Sequence, residues 1–326
     1  MTANTPQPIR AFDIFAGVGG SSCGARMAGV EVVAAVDAWQ LARETYLDNF
    51  NDVRFYRRKC ETLSAPQVLR DVGPVDLIIA SPECTSHTCA RGNGERSELS
   101  RMTAFQVIKF ARVLRPRWIV VENVIQMRSW ERYEEWLAAL RALGYKINEQ
   151  VLNSADFGVP QSRKRLFIIC DLETEPPEVQ APQINVQAAR HIINVNGTYE
   201  YSPLRTNRRA EATLQRAERA LAALGPETPF LLVYYGTDGS GGWQSIDIPL
   251  RTITTLDRFA YVRPRQDGQH EMRMLQVPEL MKAMGFPDDY KFERGSRRDN
   301  IKLLGNAVCP PVMEAIIRTV IRTENR

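Results

Sequence analysis

Short apolar runs alternate with amphipathic segments along the first half of the chain. Five runs have the length and apolar content of buried strands, at residues 11–15, 32–36, 77–80, 118–121 and 166–170. Three segments between them repeat apolar residues at helical spacing, at residues 41–50, 103–114 and 133–143. This alternation predicts an α/β fold, with a doubly wound, mostly parallel sheet that carries helices on both faces.

The pattern changes after residue 171. Residues 173–183 are polar and rich in proline, which is typical of a linker. Beyond them the sequence predicts a helix at 208–224, a strand at 230–235, a glycine-rich loop at 236–243, and helices at 277–286 and 308–321. We therefore expect one domain made of residues 1–170 and 266–326, and a smaller domain made of residues 171–265.

Composition narrows the class of protein only moderately. The chain of 326 residues is long enough for a large core and a second domain. Lys and Arg number 42 and Asp and Glu 38, so the net charge of +4 permits a polyanionic partner without requiring one. The six cysteines are scattered, the N-terminus has no apolar signal core, and no run has the length of a membrane span. We expect a soluble cytoplasmic protein with reduced thiols and no membrane partner.

A glycine-rich turn joins the first predicted strand to a helix. Gly17, Gly19 and Gly20 let a ligand approach the backbone and the N–H groups of the helix, although such turns also serve packing alone. About twenty residues further on, Asp37 could accept the hydroxyls of a ribose or cap the next helix. Phe15 could stack on an adenine.

A cysteine follows the buried strand that ends at residue 80. The edge where strands end is where open α/β sheets bind substrates, so Cys84 is a candidate nucleophile; the alternative is a small buried hydrophobe. Cys84, His87 and Cys89 also suggest part of a zinc site. No second Cys/His pair lies at a normal spacing to complete it, so we predict no metal.

Two further clusters lie next to predicted strands. Glu122 follows the run WIVV, where it is either an exposed loop acid or a cleft acid whose proton matters. Arg163 and Arg165 are two residues apart on an extended segment, so both guanidinium groups could face one anionic or carbonyl-bearing partner. The alternative is a pair of solvated edge arginines.

In this order the clusters resemble the motifs of the cytosine-C5 DNA methyltransferases over almost the whole chain. The matching stretches are DIFAGVGG, SPECTSHT, ENV, QSRKR, PLRTITT, LQVPELMKAMGFPDDY and GNAVCPP. The resemblance implies a Rossmann-like catalytic domain with S-adenosyl-L-methionine as methyl donor, and a smaller target-recognition domain. It also implies that the donor contacts Phe15, Ala16, Gly17, Gly19, Gly20, Asp37, Ala38, Pro82, Asn306 and Val308.

The resemblance also implies a mechanism. The Cys84 thiolate would add to C6 of a flipped-out cytosine and make C5 nucleophilic. Glu122 would hold a proton near N3, and Arg165, with Arg163, would polarise O2. Residues 89–98 have the composition of a mobile lid over the base.

Three departures from the family pattern affect these expectations. Asp37 and Ala38 stand where the family usually has Glu and Trp, and residues 59–61 read KCE where it usually has an Asp. Glu83 and Thr85 flank Cys84 where the family usually has Pro and Gln. A carboxylate that faces a thiol raises the pKa of that thiol, so we expect Glu83 to point away from Cys84.

The expected partner is double-stranded DNA, bound by a monomer associated with the nucleoid. Arg205, Arg208, Arg209 and the loop 236–243 are candidates for DNA contacts. The target sequence and any cognate restriction endonuclease are not readable from the chain. The competing hypotheses are an RNA methyltransferase of the same architecture, a catalytically silent DNA-binding protein, and a nicotinamide oxidoreductase. The last leaves the cysteine, glutamate and arginine clusters unexplained.

Overall fold

A seven-stranded sheet forms the centre of the computed structural model, which describes residues 7–83, 102–235, 239 and 241–322. Its strands are β1 (Arg10–Ile14), β2 (Glu31–Asp37), β3 (Arg54–Arg57), β4 (Leu77–Ala80), β5 (Trp118–Asn123), β6 (Lys146–Asn153) and β7 (Lys164–Asp171). They lie in the order β3-β2-β1-β4-β5-β7-β6, in which β1 to β5 run parallel and β7 pairs antiparallel with both β5 and β6. The strand order reverses between β1 and β4, and such switch points are where doubly wound sheets bind their ligands.

Helices cover both faces of this sheet, as the sequence predicts. The first face carries α1 (Gly20–Met27), α2 (Gln40–Asn49), α7 (Val277–Met284), α8 (Arg297–Asn306) and α9 (Pro310–Ile321). The second face carries α3 (Ala65–Val72), α4 (Phe105–Leu114) and α5 (Tyr133–Ala142). Alternate residues of one strand serve the two faces: Ala11 packs into the first core and Phe12 into the second. The mostly parallel α/β fold class is confirmed.

A second sheet of five antiparallel strands follows the linker. It consists of β8 (Ser202–Pro203), β9 (Phe230–Val233), β10 (Trp243–Ser245), β11 (Phe259–Pro264) and β12 (His270–Met274), in the order β10-β9-β11-β12-β8. One face packs against α6 (Glu211–Leu224), where Ala217 and Ala220 meet Leu232 and Val262. The other face, with Leu231 and Tyr261, extends the first core.

The stretch Arg297–Ile321 is long and apolar enough to cross a membrane by composition alone. In the structure it forms two helices, α8 and α9, which are separated at Ala307 and Cys309. More than half of its apolar window is buried, and Ile301, Met313 and Ile316 lie in the first core. This stretch is therefore a pair of core helices.

Candidate active site

The glycine turn follows β1 at the switch point of the sheet. Gly17 and Gly19 have φ angles of +54° and +88°, which residues with a Cβ rarely adopt. A Cβ on Gly17 would meet no atom within 4 Å, so the backbone there is open to a ligand. A Cβ on Gly20 would lie 2.2 Å from the carbonyl oxygen of Val308. Gly20 and Val308 therefore pack the start of α1 against the segment before α9, whereas Gly17 lines an open groove.

Two predicted donor contacts flank this groove. Phe15 has a φ angle of +61°, a conformation that a side chain of this size adopts only at an energetic cost. Asp37 accepts hydrogen bonds from the N–H groups of Gly17 at 3.0 Å and of Trp39 at 2.8 Å. Burial raises the pKa of Asp37, and these N–H groups oppose the rise. Trp39 is the N-cap of α2, so the Asp37 carboxylate binds the N-cap residue and ties β2 to the glycine turn.

The remaining donor candidates lie around the same edge. Ala16 is buried and its N–H donates to the carbonyl of Val36, while Ala38 is exposed at the rim. Pro82 is buried directly after β4. Asn306 is exposed at the end of α8. The open position at Gly17, between Phe15 and Asp37, fits the backbone approach that a nucleoside-bearing donor requires.

Glu122 lies at the end of β5, two strands from β1 in the sheet. Its side chain is in a cleft, since the residue is 7% exposed and a carboxylate oxygen lies 3.2 Å from Nε of Arg165. Burial raises the pKa of Glu122, although the charges of Arg165 and Arg163 oppose this rise. The alternative of an exposed loop acid is therefore wrong. A buried carboxyl with a raised pKa can hold a proton for a reacting base.

The charges of both arginines act on Glu122, but the hydrogen bonds of their side chains differ. Arg165 faces Glu122, but Arg163 is 4% exposed and its guanidinium donates to backbone carbonyls. These carbonyls belong to Ile253 at 3.0 Å, Gly305 at 2.9 Å and Ala307 at 3.1 Å. Neither arginine is a solvated edge residue. Arg163 thus holds the C-terminal motif beside the start of β7. A contact of Arg163 with the substrate stays a prediction.

We expect Arg163→Met to lower the free energy of unfolding by about 3 kcal/mol or more, because three buried carbonyls lose a charged donor. The midpoint of urea unfolding measures this loss. Arg208→Met is the matched control, since Arg208 is exposed and forms no ion pair within the described part of the chain. Equal midpoints for the two variants would contradict a stabilising role of the three Arg163 hydrogen bonds.

Two residues that the sequence did not single out position the site. Asn123 donates from Nδ2 to the carbonyl of Pro82 at 3.2 Å, and its Oδ1 accepts from the N–H of Val124. It thereby links β5 to the segment before Cys84; the signal was the Asn of the ENV motif. Lys109 of α4 donates from Nζ to the carbonyl of Cys60, and so holds the turn after β3. Nothing in the local sequence of α4 indicates that role.

The predicted nucleophile lies outside the described residues. Cys84 falls in the segment 84–101, together with His87, Cys89, Thr85 and the predicted lid at 89–98. The residue before it, Glu83, is described and exposed. Burial is the largest cause of the raised pKa of Asp37, and the negative charge of Glu83 adds to it.

The four described cysteines are all buried: Cys23, Cys60, Cys170 and Cys309. Burial raises the pKa of each thiol, to about 12 for Cys23. We therefore expect iodoacetamide at neutral pH to leave these four cysteines unmodified in the folded protein, so that it modifies at most two of the six, and to modify all six after denaturation. Intact mass spectrometry counts the adducts. More than two adducts on the folded protein would contradict the burial of these four cysteines.

Glu83→Gln is expected to leave the rate of alkylation at Cys84 nearly unchanged.

The predicted DNA contacts in the second sheet differ in their surroundings. Arg205 pairs with Glu218 at 3.1 Å, and Arg209 donates to the carbonyls of Leu204 and Pro203. Arg208 is exposed. Of the loop 236–243, the described part is held by Arg219, whose Nε donates to the carbonyl of Gly241 at 2.9 Å. Among these arginines, Arg208 keeps its guanidinium available for a phosphate.

The mostly parallel sheet, the open glycine turn at its switch point and the buried glutamate–arginine pair are typical of an α/β protein that binds its ligand at the carboxyl ends of its strands. The model of the C-5 cytosine-specific DNA methylase family matches residues 9–322, and the chain belongs to this family. The nicotinamide oxidoreductase hypothesis is thereby excluded.

Relatives and solved structures agree with this assignment. The chain is 27% identical to the Type II methyltransferase M.HgiDI of Herpetosiphon aurantiacus, over 92% of this chain and 90% of that protein. It is also 27% identical to the human tRNA (cytosine(38)-C(5))-methyltransferase, over 54% of this chain and 46% of that protein. The fold is similar to the Entamoeba histolytica methyltransferase EhMeth, with a TM-score of 0.73, 16% identity, and coverage of 98% of this chain and 100% of that one.

Proposed function

We propose that the protein transfers a methyl group from S-adenosyl-L-methionine to C5 of cytosine in double-stranded DNA. The observation that carries the proposal is the buried Glu122–Arg165 pair beside the strand that leads to Cys84. An acid with a raised pKa, a guanidinium and a cysteine that follows β4 in the sequence are the groups that this chemistry needs.

The reacting carbon explains the need for these groups. C5 of cytosine does not attack a methyl sulfonium directly, so the thiolate of Cys84 first forms a bond to C6. The ring then accepts electrons, and Glu122 gives or shares its proton at N3 as this charge develops. Arg165 orients the Glu122 carboxyl, and its guanidinium would polarise O2 of the base. C5 then bonds to the methyl carbon as the bond between that carbon and the donor sulfur breaks. A base removes the C5 proton, N3 returns its proton to Glu122, and the C6–S bond breaks to release the Cys84 thiolate.

The chain holds the donor with its backbone and one carboxylate. When bound, S-adenosyl-L-methionine supplies an electrophilic methyl group on a cationic sulfur. Gly17, where the backbone is open, would give the donor access to the turn; Phe15 would stack on the adenine, and Asp37 would contact the ribose. Asn306 and Val308 would close the groove from the C-terminal motif, which Arg163 holds in place.

We further propose that the expected target-recognition domain, residues 171–265, also includes β12 (270–274), because β12 pairs with β11 in the second sheet, and that Arg208 binds a DNA phosphate. The protein would act as a monomer in the cytoplasm, associated with the nucleoid. Relatives named Type II methyltransferases make a cognate restriction endonuclease a candidate partner.

A tRNA substrate is the second candidate, because tRNA (cytosine(38)-C(5))-methyltransferases are among the relatives. DNA is the first candidate because M.HgiDI matches 92% of this chain, whereas the mouse tRNA enzyme matches 82% of it and the human one 54%.

The experiment compares transfer of a radiolabelled methyl group into duplex DNA and into tRNA, followed by bisulfite sequencing of the product DNA. We expect label in DNA and protection of cytosines within one sequence context. Label in tRNA alone would replace the DNA assignment with the RNA one. Label in neither substrate, with bound donor, would favour a catalytically silent protein.

A further inference from the structure

A buried carboxyl that the proposed mechanism does not use lies behind the glycine turn. Asp13 is the fourth residue of β1 and is 1% exposed. Because side chains alternate along a strand, Asp13 faces the same side of the sheet as Ala11, which packs into the first core with α1 and α2. One carboxylate oxygen accepts from the hydroxyl of Ser22 at 2.6 Å, and the other has no hydrogen-bond partner within the described part of the chain. A buried polar group of this kind requires an explanation.

Ser22 connects this carboxyl to α2. The hydroxyl oxygen of Ser22 lies 2.7 Å from that of Tyr46, whose side chain is fully buried. A hydroxyl has one hydrogen to donate, so when Asp13 is ionised, Ser22 donates to Asp13 and Tyr46 donates to Ser22. This chain of hydrogen bonds joins β1, α1 and α2 through one residue of each.

The glycine turn packs against the last residue of this chain. A Cβ on Gly19 would lie 3.0 Å from Cδ2 of Tyr46, so the turn and the Tyr46 ring are in close contact. At the groove, Asp37 accepts a hydrogen bond from the N–H of Gly17. The turn is therefore held on one side by Asp37 and on the other by the chain that ends at Asp13.

The charge of Asp13 changes near neutral pH. Burial raises the pKa of Asp13 to about 7; the hydrogen bonds from Ser22 oppose this rise, and the negative charge of Asp37 adds to it. The titratable groups that interact with Asp13 come from three other elements: Asp37 from β2, Tyr46 from α2, and Tyr290 from the segment between α7 and α8. Burial raises the pKa of both tyrosines further above neutrality, so they stay uncharged in this range.

We propose that Asp13 is a positioning residue for the methyl donor: its ionised carboxyl fixes the glycine turn through Ser22 and Tyr46 and so raises the affinity of the groove for S-adenosylmethionine. This inference rests on the proposed function. A hydrogen bond to an ionised acceptor is about twice as strong as one to a neutral acceptor, so protonation of Asp13 weakens the chain that holds the turn. Donor binding is therefore expected to strengthen as pH rises.

The stability of the fold has the opposite pH dependence. In the unfolded chain, Asp13 ionises at about pH 4. In the folded protein the pKa of Asp13 is about 7, so the folded state binds more protons between these two values, and stability falls as pH rises through this interval. A residue that served stability alone would not strengthen donor binding when it ionises.

The test measures the dissociation constant of S-adenosylmethionine by calorimetry on the full chain, between about pH 6 and pH 8. Asp13→Asn keeps the shape and an acceptor oxygen but cannot ionise. We expect it to bind the donor about tenfold more weakly than the unsubstituted protein at about pH 8, and equally well at about pH 6. It should unfold at the same or a higher urea concentration at the higher pH, because it carries no buried charge. Asp37 and the amino group of the donor are present in both measurements, so the difference between the two profiles reports Asp13.

Ser22→Ala tests the path of the effect. It removes the hydroxyl between Asp13 and Tyr46, so it should weaken donor binding at about pH 8 by a similar factor. The double variant with Asp13→Asn should bind the donor no more weakly than either single variant, because both changes break the same chain.

Asp171→Asn is the matched control. Asp171 is a buried aspartate that accepts from Nε1 of Trp118, and the two residues pair where β5 begins, at the opposite end of the sheet from the glycine turn. This variant should keep the donor affinity and its pH profile.

Equal pH profiles of donor binding for the unsubstituted protein and Asp13→Asn would overturn the role of Asp13, and so would additive losses in the double variant. If Asp13→Asn does not fold, an unchanged donor affinity of Ser22→Ala at about pH 8 overturns it. If the unsubstituted protein binds the donor at no pH, the proposed function itself fails. The two failures are therefore distinguishable.

Discussion

Cys84→Ala is expected to abolish methyl transfer and to leave donor binding close to that of the unsubstituted protein. The reason is that the thiol acts on the base, whereas the groove at Gly17 and Asp37 contacts the donor. The measurements are single-turnover transfer to DNA and the dissociation constant of S-adenosylmethionine. Cys84→Ser is expected to be nearly as inactive, because a hydroxyl without a strong base is a poor nucleophile.

Two controls make this result specific. Cys170→Ala removes a buried thiol at the end of β7 that is remote from Arg165, and it should retain transfer. DNA that contains 5-fluorocytosine should form a covalent adduct with the unsubstituted protein, since fluorine cannot leave C5 as a proton does. Turnover of Cys84→Ala above a few per cent, or no adduct on a denaturing gel, would exclude Cys84 as the nucleophile.

The parts of the fold that the sequence predicts are those that are buried on both faces. Strands such as β4 and β5 read as continuous apolar runs because helices cover both sides of them. The pattern misses β6, whose sequence KINEQVLN is polar and partly exposed because it lies at the sheet edge. It also misses α8, RRDNIKLLGN, because charged residues dominate its first turn.

For the site, the sequence indicates the candidate residues, but it does not predict the contacts that these residues make. From the sequence alone, Glu122 could be either an exposed loop acid or a buried cleft acid. The burial of Glu122 depends on strands that are distant in the chain. The partners of Arg163 lie 90 to 144 residues away, in segments with no local signal of the contact. The spacing of two residues predicts that both guanidinium groups face one partner, and the charges of both act on Glu122. The backbone carbonyls that Arg163 also binds have no signal in the sequence.

The raised pKa of Glu122 gives the second large effect. Glu122→Gln keeps the shape of the side chain but removes the transferable proton, so we expect the rate of methyl transfer to fall by about 10²-fold or more. DNA affinity should change much less, because the side chain is buried beside Arg165. The measurement is the single-turnover rate together with the dissociation constant for DNA.

The pH dependence tests the same group with a definite sign. Burial raises the pKa of Glu122, so the protonated form persists to higher pH than for an ordinary glutamate. If the protonated form is the active one, the rate should fall as pH rises through that pKa, and Glu122→Gln should lose this decline. Glu131→Gln, which changes an exposed glutamate further along the chain, should keep both the rate and the profile. A parallel loss of rate and DNA binding in Glu122→Gln would instead make Glu122 a structural residue.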